Sequence, residues 1–299
     1  MKTLVLILGI TAVLMLSNIS VVYAQVKIMP IGDSITDLDG SYRCPLYDKL
    51  KANGYTVKSV GTESDPYPRS GCSNGGNITH FGFSGVTLQG VRDRVRSSIN
   101  ALEVADYALI HLGTNNYWPR TPFKPYTAQE QQTNLDAMRD LIGILRSRSS
   151  QTKILVAQII GTTNQEMDGY IRTFNFNYLN TLAGQPNVYL VDQYSGYNPA
   201  SDSYDGVHPQ EGKGNIKMAD KWLSVMLPLL RNQPVPSVSV TAAPATSPSP
   251  IRTPQASVSP SPIINPSANP SPRPSRFDLN KDGKVDRLDI VVMFSKWSF

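Results

Sequence analysis

Three residues of this chain have the types and the spacing that nucleophilic catalysis requires. Ser34 follows an apolar run and a glycine, Gly32, that lets the chain turn sharply. Asp205 and His208 are three residues apart, so in a tight turn the carboxylate can accept a hydrogen bond from the imidazole Nδ1–H. The imidazole Nε2 is then free to take the hydroxyl proton of Ser34. The sequence therefore predicts Ser34 as nucleophile, His208 as base and Asp205 as the group that orients His208.

The same chemistry needs donors for the negative charge that develops on the carbonyl oxygen. Gly85 precedes a predicted helix and offers a backbone N–H that no side chain blocks. Asn115 follows a predicted strand and offers a side-chain amide. Together with the N–H of Ser34, these groups are expected to form a three-donor oxyanion hole. The candidate substrate contacts are Asp33, His80, Tyr117 and Trp118.

Several of these residues have an alternative interpretation. Ser34 could cap a helix, as serines after strands often do. His111 lies inside an apolar run and is expected to be a buried core histidine, whereas His80 lies in a predicted loop near the site. Ser73 lies in a Gly-x-Ser-x-Gly pattern, but that pattern needs a strand before it and a helix after it, and loop-forming residues flank it here. Replacing Ser34 and Ser73 separately with alanine distinguishes the two serines.

The elements that must position these residues alternate between strands and helices. Near-continuous apolar runs predict five strands, at 26–31, 56–60, 107–112, 153–160 and 188–191. Apolar residues at three- and four-residue steps predict helices at 44–52, 86–99, 128–146, 168–182 and 211–230. This alternation predicts an α/β fold with a mainly parallel sheet covered on both faces. Open sheets of this kind bind ligands at the carboxyl edge, where the candidate residues fall.

These motifs resemble the four sequence blocks of the SGNH (GDSL-type) hydrolases, in the same order. The resemblance covers about residues 26–230 and depends on Gly32-Asp33-Ser34, Gly85, Gly113-Thr114-Asn115 and Asp205-x-x-His208. It implies a flavodoxin-like three-layer α/β/α fold, the catalytic roles given above, and no cofactor for catalysis. Further segments, at 40–43, 80–85 and 156–160, resemble the carbohydrate-esterase branch that deacetylates xylan. One departure is Asn116, where the family usually has aspartate.

Composition divides the chain into four parts. Residues 1–24 have the pattern of a secretory signal peptide, with an uncleaved membrane anchor as the alternative. Residues 25–232 form the predicted hydrolase domain. The net charge of +5 does not predict nucleic-acid binding, because residues 25–231 hold 20 basic and 19 acidic residues. The chain is therefore expected to be secreted and free of the membrane after cleavage.

The remaining two parts follow the predicted domain. Residues 233–276, rich in Pro, Ser and Thr, are expected to be a disordered spacer. Residues 277–299 resemble one calcium loop of a type I dockerin, an EF-hand-like motif that is normally present twice. The predicted calcium ligands are Asp278, Asn280, Asp282, Lys284 through its carbonyl, Asp286 and Asp289. A cohesin-like partner is a further hypothesis, and a solvated acidic tail is the alternative.

The two cysteines, Cys44 and Cys72, could form one disulfide in an exported protein or remain unpaired thiols. Together these features predict a secreted serine esterase that deacetylates a polysaccharide such as acetylated xylan. A lipase or lysophospholipase-type esterase is the alternative among enzymes. A non-catalytic carbohydrate-binding module on a tethering linker is the alternative from another class.

Overall fold

The structure is a computed structural model and describes residues 24–38, 41–64, 78–120, 122 and 124–232. Seven strands within these ranges form one sheet. They are β1 (Ala24–Gly32), β2 (Tyr55–Ser59), β3 (Glu63–Ser64), β4 (Thr79–Gly82), β5 (Tyr107–His111), β6 (Lys153–Ala157) and β7 (Val188–Val191). The α-helices are α1 (Ser34–Asp37), α2 (Arg43–Ala52), α3 (Leu88–Ser98), α4 (Ala128–Arg148), α5 (Gln165–Thr173), α6 (Pro199–Asp202) and α7 (Gly214–Arg231).

The sheet is parallel except at one edge. Its order is β3-β4-β1-β5-β6-β7. β2 pairs with the first half of β1 on the same side as β4, which pairs with the second half of β1. Only the β3–β4 pair is antiparallel among these strands. The predicted α/β fold with a mainly parallel sheet is confirmed. The predicted number of five strands is wrong, because β3 and β4 have only two and four residues and show no recognisable apolar run.

Both faces of the sheet are covered, which gives the predicted three layers. In β1, Met29 and Ile31 join the apolar cluster under α3, α4 and α5, while Val26 and Ile28 join the cluster under α2 and α7. This alternation follows from the two-residue period of a strand, and the predominance of apolar residues on both faces follows from coverage on both sides. The sheet is therefore a rigid support for loops at its carboxyl edge.

One predicted helix differs in form. The segment expected to be a single helix at 168–182 begins three residues earlier, because the side chain of Asn164 accepts from Met167 N–H at 3.0 Å and caps α5. After Thr173 the chain continues as a π-helical turn to Tyr178 and a 3₁₀ turn to Leu182. Apolar spacing alone does not distinguish these helix types.

Candidate active site

Ser34 is the first residue of α1, directly beyond the end of β1. The sharp connection requires Gly32, because a Cβ there would lie 2.1 Å from Thr36 Oγ1 and 2.5 Å from the carbonyl oxygen of His111. As the first helical residue, Ser34 has no intrahelical acceptor for its N–H, and no other acceptor lies within reach among the described residues. Ser34 is 8% exposed, so it lies largely buried beyond the carboxyl end of β1.

The hydroxyl of Ser34 lies against the loop of residues 203–213 between α6 and α7, called the histidine loop below. Ser34 Oγ is 2.8 Å from His208 Nε2, and His208 Nδ1 is 2.7 Å from Asp205 Oδ2. The second carboxylate oxygen of Asp205 accepts from the N–H groups of Val207 and His208 at 2.9 and 2.7 Å. An ionised carboxylate can only accept, so Nδ1 carries the hydrogen and Nε2 is the acceptor for the serine proton. The structure thus brings together the three residues predicted to be catalytic.

The protonation state of Asp205 supports this arrangement. Burial alone would raise the pKa of Asp205, but the hydrogen bond and charge of His208 and the two backbone donors outweigh it. The pKa of Asp205 is therefore held below its ordinary value of 3.8. Asp205 remains a carboxylate at neutral pH, as an orienting group for His208 requires.

The predicted oxyanion donors come from three separate segments of the chain. Gly85 has a φ of 74°, a conformation that glycine adopts without strain, and its N–H has no acceptor among the described residues. Asn115 donates one Nδ2 hydrogen to the Val86 carbonyl at 3.1 Å, which leaves its second hydrogen for a ligand. With the Ser34 N–H, each of the three predicted donors keeps one unpartnered hydrogen, as the oxyanion hypothesis needs.

Three of the four predicted substrate contacts are buried instead. Asp33 is fully buried, and its carboxylate accepts from Ile35 N–H at 3.1 Å and from Thr114 N–H at 3.2 Å. His80 lies in β4, is 1% exposed, and accepts from Gly82 N–H at 3.0 Å. These placements do not support substrate contacts by Asp33 and His80, because neither presents a surface to a ligand.

The remaining two candidates are neighbours with opposite exposure. Tyr117 is 1% exposed, and its hydroxyl donates to Gln131 at 2.6 Å, so it too is a buried structural residue rather than a substrate contact. Trp118 is 40% exposed and stays a predicted contact.

His111, expected to be a core histidine, is fully buried. Its Nε2 accepts a hydrogen bond from Ile160 N–H at 3.3 Å, and burial lowers its pKa, as suits a neutral core histidine.

Asn116, the departure from the family pattern, is the centre of an amide network. Its Oδ1 accepts from Leu88 N–H at 2.8 Å at the start of α3, and its Nδ2 lies 2.8 Å from both Gln89 Oε1 and Asn134 Oδ1. Asn134 in turn donates to the hydroxyl of Tyr117 at 3.0 Å. An amide can accept from the helix and donate to two oxygens, whereas a carboxylate can only accept.

One residue that holds the site together is not indicated by any sequence pattern. Asp37, the last residue of α1, accepts from Ser84 N–H at 3.1 Å and from the Ser84 hydroxyl at 2.6 Å. The helix that begins with Ser34 is thereby tied to the residue before Gly85. The two partners are 47 residues apart in sequence, so no local pattern indicates the contact.

Several predictions lie outside the described residues. These are the signal peptide up to residue 23, the linker, the calcium tail, Ser73 and Cys72. Cys44 lies in α2 and takes part in a disulfide. Within the described ranges, none of the helices combines the length and apolar composition that a bilayer span needs. The same ranges contain no group of three or more histidine, cysteine, aspartate or glutamate side chains placed to hold a metal ion.

Comparison with known proteins agrees with the geometry. Residues 31–212 match the model of the GDSL-like Lipase/Acylhydrolase family. A multidomain esterase of Ruminococcus flavefaciens is 27% identical over 225 residues, which are 66% of this chain but only 28% of that protein. The chain thus spans little more than a quarter of that relative's length.

Two solved structures share the fold. A family 3 carbohydrate esterase of Clostridium thermocellum is 25% identical, with a TM-score of 0.54, over 69% of this chain and 98% of that one. An acetyl esterase crystallised with acetate is 20% identical, with a TM-score of 0.57, over the same shares of the two chains. The family match covers more than half of the chain, and it includes the serine, glycine, asparagine and histidine blocks on which the resemblance depends. The chain therefore belongs to the GDSL-like lipase/acylhydrolase family and is a carboxylic ester hydrolase.

Proposed function

We propose that this enzyme removes acetyl groups from a polysaccharide such as acetylated xylan, with Ser34 as the nucleophile. The observation that carries the proposal is the pair of contacts from Ser34 Oγ to His208 Nε2 at 2.8 Å and from His208 Nδ1 to Asp205 at 2.7 Å. The choice of substrate is supported by the carbohydrate esterase and the acetyl esterase that share the fold.

The proposed reaction has two halves. Ser34 Oγ attacks the acyl carbonyl carbon while His208 Nε2 takes the hydroxyl proton, and the charge on the carbonyl oxygen is held by Ser34 N–H, Gly85 N–H and Asn115 Nδ2. The carbon–oxygen bond to the sugar then breaks, and His208 returns its proton to the departing alkoxide. Water repeats the sequence on the acyl-enzyme, which releases acetate and restores Ser34.

The test combines a substrate screen with two serine variants. We expect acetate release from acetylated xylan, and p-nitrophenyl acetate to be preferred over p-nitrophenyl esters of longer acids. Ser34→Ala should lower kcat by a factor on the order of 10⁴ or more. Ser147→Ala is the matched control, because Ser147 lies on the exposed side of α4, where its hydroxyl only contacts a helix carbonyl.

Two results would contradict the proposal in different ways. If a fluorophosphonate probe labels the chain in Ser34→Ala as well as in the wild type, Ser34 is not the nucleophile, and Ser73 is the next candidate. If Ser34 is labelled but longer acyl chains are hydrolysed faster than acetate, the substrate is a lipid-type ester.

We also propose that the chain is exported and that its tail binds calcium, which the sequence patterns at 1–24 and 277–299 support. Cleavage near residue 24 is checked by N-terminal sequencing of protein from the culture medium. Calcium uptake is checked by titration calorimetry of the full chain against a chain ending at residue 276. Equal heats from the two chains would remove the calcium hypothesis, and with it the expected cohesin-like partner.

A further inference from the structure

Tyr204 is an exposed aromatic residue on the loop that carries the catalytic histidine. It is 58% exposed, the largest value among the large apolar side chains that the structure describes. The loop around it is fixed, since Tyr204 N–H donates to the carbonyl of His208 at 3.0 Å and Ser203 pairs with Pro209. The Tyr204 ring is thus held in place beside the site although the residue is more than half exposed.

The ring of Tyr204 lies against the imidazole of His208. The two ring centroids are 5.7 Å apart, and the planes are inclined by only 15°. One face of the Tyr204 ring is therefore turned toward the imidazole, while more than half of the residue stays exposed to solvent. The stacking covers one face of the tyrosine ring and leaves the rest of the ring available to a ligand.

The position of Tyr204 relates it to one half of the ester. The oxygen of the leaving alcohol must come within about 3 Å of His208 Nε2 to receive its proton. The acyl oxygen instead faces the donors of Ser34, Gly85 and Asn115, none of which belongs to the histidine loop. A residue that flanks the imidazole is thus placed beside the alcohol half of the substrate rather than the acyl half.

The chemistry of the side chain suits a sugar. Partial burial and the negative charge of Asp205 raise the pKa of Tyr204 to about 12, so its hydroxyl stays neutral and can donate or accept a hydrogen bond. The ring offers an apolar face for the C–H groups of a pyranose, and the hydroxyl offers a polar edge for the sugar hydroxyls.

We propose that Tyr204 is a binding residue for the leaving sugar and stacks on the pyranose ring whose ester is cleaved. This inference rests on the proposed function, because it requires an alcohol half that contains a sugar ring. It makes Tyr204 a determinant of specificity for the alcohol, independent of the acyl group.

The test compares two acetate esters that differ only in the alcohol. The substrates are an acetylated xylo-oligosaccharide and ethyl acetate, assayed with wild type, Tyr204→Ala and Tyr204→Phe. Tyr204→Ala should lower kcat/KM for the oligosaccharide about three- to tenfold more than for ethyl acetate, chiefly through KM. Tyr204→Phe keeps the ring and should retain most of the selectivity.

The control and the contrary outcomes separate binding from support of the histidine. Tyr55→Ala removes a tyrosine at the start of β2, at the opposite end of the sheet, and should leave the ratio of the two activities unchanged. Equal losses on both esters in Tyr204→Ala would show that Tyr204 only supports His208, and would overturn the inference alone. A wild-type enzyme that cleaves ethyl acetate but no sugar acetate would overturn the proposed function together with the inference.

Discussion

Replacing Asn116 with aspartate, the residue that the family usually has, should destabilise this protein. The new carboxylate keeps the hydrogen bond from Leu88 N–H but cannot donate to Gln89 Oε1 and Asn134 Oδ1, which both lie 2.8 Å from Asn116 Nδ2. The substitution therefore loses two hydrogen bonds and places a negative charge against two oxygens.

The neighbouring amides cannot rotate to restore these hydrogen bonds without breaking other hydrogen bonds of the network. If Asn134 rotated to donate to the new carboxylate, its oxygen would replace the Nδ2 that now donates to Tyr117 at 3.0 Å. Tyr117 would then have to turn its hydroxyl hydrogen away from Gln131, to which it donates at 2.6 Å. The amide arrangement is set by the whole chain of contacts, so a local rotation does not relieve the substitution.

The two opposing effects differ in size. Each lost hydrogen bond costs about 1 kcal/mol, or about 2 kcal/mol for the pair. A negative charge at the start of α3 returns about 0.3–1 kcal/mol through the helix dipole. The free energy of unfolding therefore falls by about 1–2 kcal/mol, which lowers the unfolding midpoint by about 2–8 °C for a domain of this size.

The assay is thermal unfolding followed by circular dichroism at about pH 7 and about pH 3, with Asn116→Ala as the control. Acidification protonates the new carboxyl group, which can then donate one hydrogen bond. The midpoint difference between Asn116→Asp and wild type should therefore narrow at low pH, whereas the difference for Asn116→Ala should not. A midpoint equal to or above that of wild type at neutral pH would refute the amide-network argument.

Two further substitutions test the proposed catalytic geometry. Asp37→Ala removes both hydrogen bonds to Ser84, so the Gly85 N–H is no longer fixed. We expect kcat to fall about 10- to 100-fold with little change in KM. A raised KM with an unchanged kcat would contradict this expectation. Asp205→Asn should lower kcat about 10³- to 10⁴-fold. Because the folded-state pKa of Asp205 is lowered, its stabilising contribution is present above its unfolded pKa and is lost as the pH falls through the folded value. The difference in unfolding midpoint between wild type and Asp205→Asn should thus be largest near neutral pH, and a difference that does not change with pH would contradict the lowered pKa of Asp205.

The features that the sequence predicts well are those set by near neighbours in the chain. The Asp205–His208 contact lies within one turn, and the long strands are continuous apolar runs that need no knowledge of their partners. His80 shows the limit. It is a loop residue by composition, yet it is buried because the short strand β4 pairs with the end of β1, where Phe81 lies beside Ile31. This burial depends on the tertiary arrangement alone, so the sequence gives no sign that His80 is buried away from the substrate.

Two acidic residues close to Ser34, Asp33 and Asp37, explain how the site is assembled. The donors of the proposed oxyanion hole come from different loops, and each loop is tied back to the serine or to a neighbour by a carboxylate or an amide. Asp33 holds the N–H of Thr114, which precedes Asn115, and Asp37 holds Ser84, which precedes Gly85.

Asp33 caps the start of α1 and Asp37 is the last residue of that helix, and each contacts one of the two loops that supply the other donors. Hydrogen bonds to charged groups are worth more than neutral ones, about 1.5–3 kcal/mol each. Carboxylates at these positions thus fix the distance between Ser34 and the donor loops more firmly than neutral side chains would. Asp33 and Asp37 therefore act on the geometry of the site, because each holds a loop that lies far from it in sequence.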